Sequence, residues 1–70
     1  MITLAIDRPY ITLQQALKMS GLIPSGGAAK IVLGRSAAVV NGELENRRGR
    51  KLYPGDTVEI LEKTIYIDQS

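Results

Sequence analysis

The sequence predicts a small α+β fold, and three features carry the prediction. A helical pattern with a capping box opens at Thr12. A second helix start follows at Ser25. From Ala38 onward the chain changes to short apolar segments divided by the turn signals Asn41-Gly42 and Pro54-Gly55-Asp56. Seventy residues are expected to form one domain over 1–70, with its core in 12–61. A chain this short buries only about 60% of the surface its unfolded form exposes. It contains neither cysteine nor histidine, so disulfides and a Cys/His zinc site are both excluded. Stability must come from apolar packing, which a hydrophobic fraction of 44% can supply.

Ile2–Ile6 is apolar and partly β-branched and reads as a short strand. Asp7-Arg8-Pro9 is a turn, because proline ends regular structure. In the first helix the Thr12 hydroxyl can accept from a first-turn amide while Gln15 reaches back to the Thr12 amide. Leu13, Ala16 and Leu17 then share one face, and Gly21 suits the C-terminal cap. Such a helix, about eight residues long, needs packing to persist. Ser25 starts the second helix just after Pro24. Gly26 and Gly27 are poor helix formers, and a close approach by a backbone or a ligand would explain both. Ala28, Ala29, Ile31, Val32 and Leu33 are expected to form its packing surface, and Gly34 to end it.

Arg35–Ala37 links to a hairpin. Asn41-Gly42 fits a type I′ turn, since both residues tolerate positive φ. Val39 and Leu44 are expected in the core, with Glu43 and Glu45 solvated or paired to a nearby arginine. Leu52 and Tyr53 re-enter the body, with Tyr53 as a packing residue. Asp56 satisfies amides around Pro54-Gly55. Thr57–Ile60 alternates, with Val58 and Ile60 inward. Lys63 breaks the run, and Thr64–Ile67 forms a last strand beside Ile2–Ile6.

Net charge is only +2, but its distribution is uneven. Lys18 to Lys51 holds seven basic residues against two acidic, a local +5, whereas Leu52 to Ser70 carries −3. Arg47, Arg48, Arg50 and Lys51 stand within five residues, interrupted only by Gly49. Arginine dominates, and its planar fork suits phosphate. Lys30 and Arg35 on the second helix are further candidates, with Lys18 behind them. Gly26-Gly27 followed by Lys30 lacks Walker spacing, although a helix N-terminus can hold one phosphate through its free amides.

The segments LQQALKMSGLIPSGGAAKIVL and VVNGELENRRGRKLYPGDTVEI resemble the S4 RNA-binding domain. More closely, they resemble its small stand-alone bacterial members of the YaaA and YbcJ type. The resemblance covers about fifty of the seventy residues. It implies two helices packed on a small bent, mainly antiparallel sheet, with a helix-and-loop surface that binds structured RNA, most often ribosomal RNA. S4 domains commonly open their first helix with Arg-Leu-Asp, where this chain has Thr12-Leu13-Gln14. They often open the second with Ser-Arg, where this chain has Ser25-Gly26. Two usual phosphate contacts are therefore missing. The RNA-binding set falls to Arg47, Arg48, Arg50, Lys51, Lys30, Arg35 and Lys18, with the Gly26 and Gly27 amides.

No enzyme site is read. Histidine and cysteine are absent, and Glu43, Glu45, Asp56, Glu59 and Glu62 have surface or turn roles. No cofactor or metal is expected. Met1–Ile6 is too short for a secretory signal, and no apolar run approaches a membrane span. The expected location is the cytoplasm, with RNA, and through it ribosomal particles, as partners. A protein-docking module and a duplex-DNA binder are the competing classes. The helices are short for reading a major groove, and three tyrosines are too few for a single-strand stacking track.

Overall fold

The computed structural model describes residues 1–70 and has the α+β architecture. β1 (Ile2–Ile6) and β2 (Ile11–Thr12) precede α1 (Leu13–Met19) and α2 (Gly26–Arg35). β3 (Ala38–Val40), β4 (Glu43–Glu45), β5 (Lys51–Leu52), β6 (Thr57–Ile60) and β7 (Lys63–Gln69) follow. Five strands form one sheet in the order β1-β7-β6-β3-β4, while β2 and β5 form a separate two-stranded ribbon. All pairings are antiparallel except β1 with β7, which runs parallel from Ile2 opposite Ile65 to Ile6 opposite Gln69.

The period-two alternation of strands decides which residues enter the core. Leu4, Ile6, Ala38, Val40, Val58, Ile60, Ile65 and Ile67 are buried on one face of the sheet, against Leu13, Ala16 and Leu17 of α1 and Ala29 and Leu33 of α2. Every buried residue is apolar. The expected Val39–Leu44 core pair is corrected. The two residues face each other across the hairpin but on the outer side, where Leu44 is 79% exposed. Val39 and Val40 are both β-branched, and a one-residue choice between them sends the whole strand to the opposite face.

α1 has the expected capping box. Gln15 N–H donates to Thr12 Oγ1 at 3.2 Å, and Thr12 N–H donates to Gln15 Oε1 at 2.8 Å. Gly21 follows at φ +81°, the left-handed conformation that closes helix ends. α2 departs from expectation in two places. It continues through Gly34 to Arg35, and Ile31 is 61% exposed while Leu33 is buried. A Cβ at Gly26 would come within 2.5 Å of Gln14 Nε2, the far end of a flexible side chain that can swing aside, so the contact favours glycine without requiring it. Gly27 has no such neighbour.

Two turns orient the sheet. Asn41 and Gly42 take φ 51° and 86°, as a type I′ turn requires. The β6–β7 turn places Leu61 and Glu62 at φ 51° and 62°, a conformation unfavourable for both side chains. Replacing Leu61-Glu62 by Asn-Gly should therefore stabilise the fold, by about 1 kcal/mol. A higher urea midpoint with unchanged slope is the expected result.

Candidate nucleic-acid interface

The basic segment is a tight loop seated on the start of α1. Arg50 N–H donates to Arg47 O at 3.2 Å and closes the turn. The loop then offers its carbonyls to the helix: Leu13 N–H donates to Arg50 O at 2.8 Å, and Gln14 N–H to Arg48 O at 3.0 Å. With Gln15 N–H held by Thr12, the first three amides of α1 have partners in place of water. The β2–β5 ribbon continues this junction, pairing Ile11 with Leu52 and Thr12 with Lys51. Ile11 and Leu52 are buried and anchor the loop from below. The ribbon was not foreseen from sequence, because two-residue strands carry no periodic signal.

The four loop cations differ in their environment. Arg47 Nε donates to Glu45 Oε2 and Arg47 Nη2 to Glu45 Oε1, both at 3.0 Å, and the Arg47 amide donates to Oε2 at 3.1 Å. Arg50 Nη1 lies 3.5 Å from the same carboxylate. The Glu45 side chain is only 9% exposed. The hydrogen bond from the Arg47 side chain chiefly lowers its pKa to about 2, opposed by desolvation. The Arg47 guanidinium is held protonated by the same bond. Arg48 has no carboxylate partner and lines a polar recess with Thr12, Gln14, Gln15 and Gly49. Lys51 Nζ sits 4.9 Å from the centroid of the Tyr10 ring. A second recess is lined by Arg47, Gly49, Arg50, Lys51, Tyr53 and Asp56.

Tyr53 does not pack in the core as expected. It is 48% exposed, and its ring lies 5.7 Å from that of Tyr10 across the ribbon. Its backbone is nonetheless fixed. Tyr53 N–H donates to Asp56 Oδ2 at 2.8 Å, and Asn41 Nδ2 donates to Asp56 Oδ1 at 3.0 Å. Gly55 at φ +99° completes a type II turn.

The helical candidates divide by position. Gly26 abuts Gln14, whose amide binds the Arg48 carbonyl, so the start of α2 adjoins the loop. Lys30 is exposed one turn later on the same side of α2. Arg35 is the last residue of α2, about 140° around the axis from Lys30. Lys18 is in the last turn of α1, at the end away from the loop. Arg35 and Lys18 therefore stand at the helix ends opposite to those that meet the loop. Tyr10 and Gln14, to which the sequence assigned no role, lie on this surface, and Glu45 pairs with arginine as the sequence allowed.

An α+β domain with a cationic loop docked on a helix start is the class of protein that this geometry defines. The S4 domain family matches residues 4–68, and the chain belongs to it. It is 54% identical over 57 residues to the probable ribosome maturation protein RlbA of Bacillus subtilis (strain 168), covering 81% of this chain and 80% of that protein. It is 30% identical over 59 residues to the putative RNA-binding protein YbcJ of Escherichia coli (strain K12), covering 84% of each. No group of three or more His, Cys, Asp or Glu side chains is placed to hold a metal ion. No helix is long and apolar enough to cross a membrane.

The Glu45 clamp fixes the sign of an acid response. A carboxylate whose pKa falls from 4.5 to about 2 on folding contributes stability that is complete above about pH 4.5. That contribution is lost as pH falls through about 2. Glu45→Gln should remove this part of the acid transition. The check is thermal midpoint against pH for both proteins, with the two curves converging toward pH 2.

Proposed function

We propose that the chain binds structured RNA, ribosomal RNA foremost, through phosphate and shape contacts, and acts in ribosome maturation or translation. The observation that carries this reading is the cationic loop held rigidly by its own backbone. Carbonyls of Arg48 and Arg50 are tied to α1, so the side chains are left to face solvent from a fixed frame. Arg48 and Lys51 have no carboxylate partner, and Lys30 is exposed on α2, one turn beyond Gly26. Phosphate contacts set register and orientation on a nucleic acid, and folded RNA is recognised largely by the spacing of its backbone. The family supports the reading, as do the ribosome-maturation and RNA-binding names of the two relatives.

Fluorescence anisotropy with ribosomal RNA fragments, bulk tRNA and duplex DNA at two salt concentrations tests the proposal. Three unpaired cations predict a logarithmic salt slope of about 2–3. Arg48→Ala should weaken binding to many RNAs and lower the slope by about 1, whereas Arg47→Ala should lower it less, because Glu45 already neutralises Arg47. Equal binding to duplex DNA, or an unchanged slope in a folded Arg48→Ala variant, would overturn the reading. Partner capture that survives nuclease treatment would favour a protein-docking role instead.

A further inference from the structure

We infer that the outer face of the β2–β5 ribbon holds one unpaired nucleotide of the bound RNA, its base against the Tyr53 ring and its phosphate toward Lys51 and Arg50. The inference rests on the RNA reading above and adds a ligand class to it.

Strand alternation creates this face. Ile11 and Leu52 are buried, so their neighbours Tyr10, Thr12, Lys51 and Tyr53 project to the other side. Tyr10 opposes Tyr53, and their rings meet at 48° with 37% and 48% of the two residues exposed. Their roles differ. The Lys51 ammonium stands over the Tyr10 ring, whereas Tyr53 lines the recess shared with Arg47, Gly49, Arg50 and Lys51. That recess therefore brings an aromatic ring and cations together in its lining.

A nucleotide has the complementary construction, an aromatic plane joined to an anion. Stacking on an aromatic side chain accepts any base, because every base has a π-face. Base faces are hidden within a duplex and open in loops, bulges and ends, so the ligand is an unpaired residue. Asp56, also on the recess wall, gives it a direction, since the carboxylate repels phosphate toward the Arg50–Lys51 side. Both Asp56 oxygens already hold the Tyr53 amide and Asn41, so the platform is fixed before binding. With a single such ring on the recess, the site takes one nucleotide and not a strand.

The test uses one RNA duplex made with and without a single bulged nucleotide, measured by anisotropy at two salt concentrations. Wild-type protein is compared with Tyr53→Leu, Tyr53→Phe and Arg48→Ala, each shown to be folded by circular dichroism. The wild type should prefer the bulged RNA. Tyr53→Leu should lose roughly tenfold on it, little on the paired duplex, and keep the wild-type salt slope, while Tyr53→Phe retains the preference. Wild-type binding without preference for the bulge overturns the inference. So does a Tyr53→Leu variant that retains the preference while Arg48→Ala is weakened, and that result leaves the phosphate-binding reading intact. No binding of the wild type to either RNA removes both.

Discussion

The two hydrogen bonds from the carbonyls of Arg48 and Arg50 to the first amides of α1 are what the site depends on. They solve a problem that the loop composition creates. Four cations within five residues repel one another, and the start of a helix carries partial positive charge, which repels them further. The loop approaches that end with its carbonyl oxygens, so the local contact is attractive although the side chains are cationic. Each such bond is worth about 1 kcal/mol net, comparable with the charge–dipole cost at an exposed helix end. Glu45 supplies the remaining compensation by holding two guanidiniums from beneath.

A backbone solution is suited to a chain of this size. The core is thin and wholly apolar, so it offers no buried polar group from which to orient a loop. Orientation comes instead from main-chain pairing, aided by the surface carboxylates Asp56 and Glu45. The ribbon sets the loop's exit at Lys51, and the Asp56 network ties Tyr53 to Asn41, from which Asn41 N–H reaches Thr57 O at 3.0 Å. The β3–β4 hairpin turn, the Pro54-Gly55 turn and the start of β6 are thereby one connected frame. Main-chain bonds do not depend on side-chain identity, which leaves positions 47, 48, 50 and 51 free to be basic.

What could be read from the sequence was local. The Thr12–Gln15 capping box, the Asn41-Gly42 turn, the Asp56 turn and the inward Val58 and Ile60 each follow from residues within a few positions of one another. What could not be read was non-local or lacked a distinguishing residue. Ile11 and Leu52 pair across most of the chain, and nothing near either announces it. Leu61-Glu62 makes a tight turn without glycine or asparagine, so only its positive φ angles and the Ile60–Lys63 pairing across it reveal it. The same limit applied to the site. The basic cluster was visible as composition, but its division into clamped and unpaired cations required the loop conformation that brings Glu45 beneath Arg47. The Tyr10–Tyr53 contact required the ribbon.

That division separates two contributions that a count of positive residues merges. An arginine forked onto a carboxylate spends Nε and one terminal nitrogen on it, as Arg47 does on Glu45, and keeps its other N–H groups for a second acceptor. Such a residue can still position a phosphate oxygen, yet its charge is already compensated and it displaces few counterions from the nucleic acid. An unpaired cation such as Arg48 contributes both. Under the proposed function, therefore, affinity and salt dependence need not follow the same residues. Salt dependence follows the cations without a carboxylate partner, and geometric selectivity follows the whole loop. Glu45, an acidic residue at a basic site, belongs to the selective part because it fixes where Arg47 and Arg50 can point.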